Sequence, residues 1–337
     1  MRNESPAPRP FDAPPPEALL ASVSSASGVD RPIGESDRFV RMMGKVYRYA
    51  PHDALPVLLE GETGTGKTIL ARYLHRLSHR ANRPFVEVDL GTLDEGVAAS
   101  ELLGHRRGAF TGAVADTHGP FAAAHGGTVF LDELENASAA VQRCLLRVTD
   151  EGELRQVGTV RSVRVDVRIV SATNVSLEEL IQERRIQRDL AARLSGCLIR
   201  VPPLREHAQD IPLLVRHFIA CFMGRLGYGT PPVFQSDLMA ALTRHTWPDI
   251  VRGLSRVVHR LLIDAAPARS IGLEHCEDDL AFLRDVRAPC ARPTPGDAQR
   301  ALEQCGSATR AARQLGVSRA TFYRLMRDSG AGPTPVA

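Results

Sequence analysis

No apolar run in the 337 residues approaches the length of about 20 needed to span a bilayer. The first residues carry Arg2, Glu4, Arg9 and prolines through Pro16 in place of the apolar core of a secretory signal. Membrane-spanning and exported classes are excluded, and the chain is expected in the cytoplasm. Cysteine is sparse. Cys144, Cys197, Cys221, Cys276, Cys290 and Cys305 form no C-x-x-C pair, which disfavours zinc, and a disulfide framework does not suit so long a chain. Six free buried thiols in a reducing compartment are expected. Charge of one sign is nearly absent too, since 42 Lys and Arg against 39 Asp and Glu leave +3. Any basic footprint for nucleic acid must therefore be local. No internal repeat is visible.

What is there is an ordinary globular balance, 43% apolar and 24% charged, at a length suited to about two domains. Residues 1–30 are mostly Pro, Ala and Ser with little to bury, and read as a disordered leader. Over 31–203, short apolar runs alternate with amphipathic stretches, which predicts an α/β fold with a parallel sheet and helices on both faces. Strands are predicted at Pro56–Glu60, Pro84–Val88, Gly127–Leu131, Val167–Ser171 and Cys197–Val201, each apolar on both faces as buried parallel strands are. Residues 204–286 read as helical throughout, a small lid. Residues 287–296, with Pro289, Pro293 and Pro295, resist helix and sheet and form a linker. Residues 297–330 return to helical periodicity, and 331–337 are a tail.

After the first predicted strand comes Gly61-Glu62-Thr63-Gly64-Thr65-Gly66-Lys67-Thr68, which fits G-x-x-x-x-G-K-[ST]. Glycines let successive backbone N–H groups curl around a phosphate, and the helix expected over Ile69–His79 adds its positive dipole end. Lys67 reaches the outer phosphates and Thr68 offers a hydroxyl to Mg²⁺. The run Gly127-Thr128-Val129-Phe130-Leu131-Asp132-Glu133 supplies the other half. A buried strand there presents two acids beside the phosphate loop, Asp132 for Mg²⁺ and Glu133 to polarise the attacking water. Strand, loop, helix and acids together point to an ATP site.

Between these halves lies Gly104-His105-Arg106-Arg107-Gly108-Ala109-Phe110-Thr111-Gly112-Ala113, whose composition suggests a mobile loop with Phe110 at its tip. Here the chain resembles the AAA+ activators of the bacterial sigma-54 RNA polymerase. The sextet Gly108, Ala109, Phe110, Thr111, Gly112 and Ala113 is intact, and in that family it grips sigma-54 when ATP is bound. Further landmarks are Ser100-Glu101-Leu102-Leu103-Gly104-His105, Leu145-Leu146-Arg147-Val148, Ala172-Thr173-Asn174 and Val201-Pro202-Pro203-Leu204-Arg205-Glu206. The resemblance implies an AAA+ sheet over 31–203 and a lid over 204–286. It implies that Asn174 senses the γ-phosphate and that Arg252 senses nucleotide from the lid. It also implies that Arg193 reaches a neighbouring subunit's nucleotide as an arginine finger, and hence a ring, usually a hexamer.

Four places depart from the family pattern. A second finger arginine is expected at 187, where Gln187 stands, and the adjacent Arg188 points about 100° away on a helix. An arginine usual before Val157-Gly158 is Gln156. The asparagine that normally restrains the catalytic glutamate is Asp89, a like charge to ionised Glu133. In the lid, Asp249-Ile250 replaces Gly-Asn and Gly253 replaces a glutamate.

At the C-terminal end, one helix closes at Gly306. A second runs from Ser307, its N-cap, to Gly316, and Val317-Ser318 turns into a third over Arg319–Arg327. Ala311, Ala312, Leu315, Val317, Phe322 and Leu325 would form a small core. Arg319, Thr321, Tyr323 and Arg324 are left for the major groove and phosphates. Six arginines against three acids over 297–330 place the chain's whole excess charge here. The segment resembles the Fis-type helix-turn-helix that ends most such activators.

The resemblance thus implies an ATPase that binds upstream enhancer DNA and remodels the closed complex of the sigma-54 polymerase holoenzyme. The short leader leaves no room for a receiver or ligand-sensing domain, so control is expected from a regulatory partner protein or from expression level. Two other readings stand beside it. One is a DNA-binding regulator whose weak or lost ATPase needs a partner subunit. The other is a ring ATPase that remodels some other protein.

Overall fold

A computed structural model describes residues 31–93, 96–110, 112–226, 230–248, 250–266, 268–284, 295–305, 307–308, 311–312 and 319–328. The expected leader, most of the linker, Thr111, Asp249, Gly316, the turn at Val317-Ser318 and the tail lie outside these residues.

Five strands make the central sheet: β1 (Val57–Glu60), β2 (Phe85–Asp89), β3 (Thr128–Asp132), β4 (Arg168–Thr173) and β5 (Cys197–Arg200). Their order is β2-β3-β4-β1-β5 and every pairing is parallel. All five fall within two residues of their predicted spans. Side chains alternate between two cores, as the period of two along a strand requires. Leu58, Val129, Leu131 and Ile169 face one core, while Val57, Leu59, Phe130, Val170 and Ala172 face the other. One strand departs from expectation. β2 is a sheet edge, with Glu87 and Asp89 exposed, so only part of it is buried.

Helix α1 (Asp37–Tyr49) and α2 (Lys67–Arg76) cover the second core, contributing Met42, Met43, Val46, Leu70, Ala71 and Leu74. On the other face lie α3 (Ala98–Leu103), α4 (Ala139–Glu151) and α5 (Arg188–Leu194), with Leu102, Leu145 and Leu190 fully buried. Burying each such leucine contributes about 1.5–3 kcal/mol, which fixes the helices against the sheet. Helix α2 begins at Lys67, earlier than predicted, because Gly66 takes the left-handed conformation (φ 91°) and caps it there.

The lid has its own core, in which α6 (Ile211–Leu226), α7 (Ser236–Arg244) and α8 (Ile250–Asp264) enclose Trp247, Leu238, Leu254 and Leu261. It is not helical throughout. Val233–Phe234 and Ser270–Ile271 pair as a short parallel ladder, because Pro231-Pro232 cannot continue a helix and the β-branched Val233 and aromatic Phe234 after them favour extension. The lid is tied to the first helix by Asp210, whose buried carboxylate accepts from the backbone N–H of Glu35 and Ser36 at 2.8 and 2.9 Å and from Ser36 Oγ at 2.7 Å. An anion at that helix start meets the positive end of the dipole of α1.

At the C-terminal end α9 (Pro295–Cys305) and α10 (Arg319–Asp328) pack through Ala298, Ala301, Ala311, Ala312, Phe322 and Met326. Ala311, Ala312, Phe322 and Leu325 belong to this core as expected, whereas Leu315 and Val317 lie outside the described residues. Helix α9 starts at Pro295, inside the predicted linker, since proline is well suited to a helix's first turn. The thiols are also only partly as expected. Cys197 and Cys276 are buried and free, while Cys144 and Cys221 are half-buried.

Candidate nucleotide site and partner hairpin

The carboxyl ends of β1, β3 and β4 meet at one edge of the sheet, the place where ligands of open parallel sheets bind. Each strand delivers one part of the site. After β1 the chain turns through Gly64 (φ 88°) and Gly66 (φ 91°), conformations that favour glycine, and enters α2 at Lys67. Gly61 is packed against the Val201 carbonyl, where a Cβ would come within 2.7 Å. The loop holds its own shape, because Thr65 Oγ1 donates to the Glu62 carbonyl at 2.8 Å. Thr63 stands on the loop's outer turn, exposed.

Lys67 is buried, 6% exposed. Its Nζ donates to the carbonyls of Gly61 at 2.7 Å and Glu62 at 3.0 Å and to Asn174 Oδ1 at 2.6 Å. Burial pushes its pKa down, opposed by the charges of Asp132, Glu135 and Glu133, while Arg252 on α8 reinforces the lowering. Asp132 ends β3 beside it. Burial raises the Asp132 carboxyl, against the Glu133 N–H bond at 2.9 Å and the charge of Lys67. Thr68 Oγ1 lies 3.4 Å from Asp132 Oδ2.

This donor set fits a polyphosphate with a divalent cation. The left-handed glycines open a run of amides at the start of α2, Lys67 supplies positive charge, and Thr68 and Asp132 offer two hard oxygens side by side. Two protein oxygens suit Mg²⁺, which completes its shell with waters and phosphate oxygens. Among the described residues no group of three or more His, Cys, Asp or Glu side chains could hold a metal alone.

Glu133 follows Asp132 in the left-handed region, φ 55°, an uncommon conformation for a non-glycine residue. Its carboxylate accepts from Asn136 Nδ2 at 2.8 Å. Asp89 is close by but occupied locally, accepting from the Gly91 N–H at 2.9 Å. The hydrogen-bond donor to Glu133 therefore comes from position 136, not from position 89. Nothing in the motif reading singled out Asn136 or Glu135, and both reach the site because Leu134–Asn136 form one 3-10 turn directly after the acids.

An apolar cavity of about 90 Å³ adjoins the loop. Thr65, Gly66 and Ile69 line one side, Ile33 and Phe39 another, and Leu214, Phe218 and Val251 of the lid close it. Its apolar lining suits the face of a planar heterocycle. The sequence carries no local signal for it, since its walls come from four separated segments. The lid is latched to the phosphate loop twice. Val251 N–H donates to the Gly64 carbonyl at 3.2 Å, and the Arg205 guanidinium grips the Glu62 carboxylate, one bond being 2.7 Å.

Arg193 has its partner elsewhere. It is 48% exposed on α5 and ion-paired with Asp150 of α4. At its N-cap, the Gln187 backbone N–H donates to Gln142 Oε1 at 2.9 Å, and the Gln187 side chain is exposed. Gln156 is buried and donates to the Thr117 carbonyl at 3.3 Å, so it braces the base of the neighbouring hairpin.

That hairpin carries the sextet. Its base is an antiparallel ladder of Gly104–His105 with Thr117–His118, and its tip is closed by the Gly108 N–H on the Ala113 carbonyl at 2.8 Å. Gly108 (φ 81°) and Gly112 (φ 103°) make the reversal. Phe110 is 39% exposed and sets its ring edge-on to His105, centroids 5.0 Å apart. Ala113 is buried and Ala109 packs against Gly158, so the sextet is not a wholly free loop. Thr111 lies outside the described residues. On α10, Thr321 is half-buried and Tyr323 is 45% exposed, and the side chains of Arg319 and Arg324 lie outside what is described.

The site thus unites Gly61–Thr68, Asp132, Glu133 and Asn174, with Arg252 near enough for its charge to act on Lys67. Among the described residues no helix is long and apolar enough to cross a membrane. Residues 32–200 match the sigma-54 interaction domain, and 205–288 match the AAA+ ATPase lid domain. The sigma54-dependent transcriptional activator SfnR of Pseudomonas putida is 40% identical over 250 residues, covering 74% of this chain and 67% of that protein. The sigma54-dependent transcriptional regulator SfnR of Pseudomonas fluorescens is 38% identical over 289 residues, covering 86% and 76%. NtrX from Brucella abortus, crystallised in complex with ADP, is similar in structure at a TM-score of 0.68 and 30% identity, over 93% of this chain and 72% of that one. The same protein has been crystallised with ATP. By its two matched domains and these relatives, the chain belongs to the sigma-54-dependent transcriptional activators, built on an AAA+ ATPase fold.

Proposed function

We propose that this chain is an ATP-dependent activator of sigma-54 RNA polymerase transcription that binds enhancer DNA and remodels the closed promoter complex. The observation that carries the reading is the buried Lys67, bonded to the Asn174 amide and within range of the Asp132 charge, on the body that also presents Phe110. Lys67 and the amides at the start of α2 bind and neutralise the phosphates. Thr68 and Asp132 would hold Mg²⁺, which supplies charge neutralisation when bound. Glu133, released from Asn136, polarises the attacking water. Asn174 and Arg252 report the state of the nucleotide to sheet and lid.

Arg193 sits on an exposed face, which suits a finger reaching the next subunit's nucleotide once its pair with Asp150 opens. The working form is accordingly a ring, a hexamer in this proposal. Gly108–Ala113 contact sigma-54 through Phe110. Helices α9 and α10 belong to a helix-turn-helix over 297–330 whose Arg319, Thr321, Tyr323 and Arg324 meet double-stranded DNA. The test is phosphate release by the purified protein with and without enhancer DNA. Turnover that rises on DNA supports the reading. A chain with no turnover under either condition would leave a DNA-binding regulator dependent on a second subunit.

A further inference from the structure

Glu135 belongs to no motif, yet it reaches the centre of the site. Leu134 is buried in the core and anchors the 3-10 turn, and the next residue is thereby swung toward the end of β4. There the Glu135 carboxylate accepts from the Asn174 backbone N–H at 3.2 and 3.3 Å and from Asn174 Nδ2 at 2.5 Å. The amide can face only one way. A lysine ammonium only donates and an ionised carboxylate only accepts, so Oδ1 must meet Lys67 and Nδ2 must meet Glu135. The result is a continuous chain of contacts, Glu135 to Asn174 to Lys67, with all three ammonium protons of Lys67 spent on protein acceptors. The charge of Glu135 is felt at Lys67, second only to Asp132 among the groups that favour its charged form.

An incoming terminal phosphate needs Lys67 and the Asn174 amide, the two groups this chain already occupies. It also brings negative charge toward a carboxylate one amide removed from Lys67. A diphosphate ends short of that meeting and is spared most of the repulsion. We propose that Glu135 is a specificity-determining residue that sets the balance between tri- and diphosphate nucleotide, weakening the triphosphate relative to the diphosphate by charge. This rests on the nucleotide reading above. Glu135 also orients Asn174, which a neutral acceptor of the same shape can still do.

The experiment is a binding titration of the full chain with Mg²⁺ and either ADP or a non-hydrolysable ATP analogue. It is run on wild type, Glu135→Gln and Glu135→Ala. The expected result is ADP affinity unchanged within about twofold in both variants and analogue affinity raised about tenfold in Glu135→Gln, the scale of one close like-charge pair in a partly screened site. A smaller gain is expected in Glu135→Ala, which also loses the acceptor that orients Asn174. The gain in the isosteric Gln, which keeps an acceptor for Asn174, assigns the effect to charge. An unchanged ratio of the two affinities in Glu135→Gln would overturn the inference, as would a parallel shift of both nucleotides. A wild type that bound neither nucleotide would instead overturn the nucleotide reading, and this inference with it.

Discussion

Asn136 Nδ2 donates to Glu133 Oε2 at 2.8 Å, so the acid proposed to polarise water is held by a residue three positions along its own turn. A hydrogen bond to a charged group contributes about 1.5–3 kcal/mol when buried and less at an exposed position such as this. Glu133 must leave it to reach a water. Asn136→Ala should therefore raise steady-state phosphate release about three- to tenfold with KM for ATP unchanged. A rate that stayed level or fell would show that Asn136 does not restrain Glu133. Glu133→Gln should lower kcat by about 10²–10⁴ on the same assay.

Phe110 rests edge-on against His105, and His105 is fixed in turn by Ser100 Oγ at 2.8 Å. Its aromatic partner, His105, belongs to the hairpin base and not to the phosphate site. Phe110→Ala should leave ATP turnover within about twofold and reduce activated transcription at least tenfold, the loss typical of a truncated aromatic anchor. If both activities fell together, the hairpin would be a structural part of the ATPase.

His245 lies between Trp247 and Phe282, ring centroids at 4.8 and 4.7 Å, and its Nδ1 accepts the Trp247 N–H at 3.1 Å. Burial pushes its pKa down from 6.5 to about 4. The folded lid therefore favours neutral imidazole. Its contribution is present above about 6.5 and is lost as pH falls from there through 4, on the order of 2 kcal/mol allowing for partial exposure. Thermal unfolding across that window should show the loss, and His245→Asn should flatten it. An equal slope in wild type and variant would place the titration elsewhere.

Much of this architecture was legible in the residues. The five strands are short apolar runs with polar ends, and the phosphate loop between β1 and α2 is a local pattern whose geometry follows from its glycines. What was not legible depends on side chains brought together across long stretches. Asp210 caps a helix 174 residues earlier, and Glu135 finds Asn174 at the end of another strand. The donor that Asn136 offers to Glu133 and the bond from Gln156 to the Thr117 carbonyl likewise leave no mark in a local motif.

Gln187 caps α5 through its backbone while its side chain is exposed beside the exposed Arg188. An arginine there would be exposed at the start of α5, a second positive group for the neighbouring nucleotide. Gln187→Arg should raise kcat of the homomeric ring about tenfold, and a mixed ring with a related subunit that has arginine at this position should turn over faster than the pure one. Fast wild-type turnover with no gain in the variant would show that Arg193 suffices.

The most direct test of the central claim is open-complex formation by purified sigma-54 polymerase at an enhancer-bearing promoter. Wild-type chain with ATP and Mg²⁺ should open the promoter, and the same chain with a non-hydrolysable analogue should not. Lys67→Ala should fail under both conditions because nucleotide affinity falls at least about a hundredfold, on the scale of losing a charge-assisted contact to phosphate. Opening by Lys67→Ala, or opening by wild type without hydrolysis, would contradict the account.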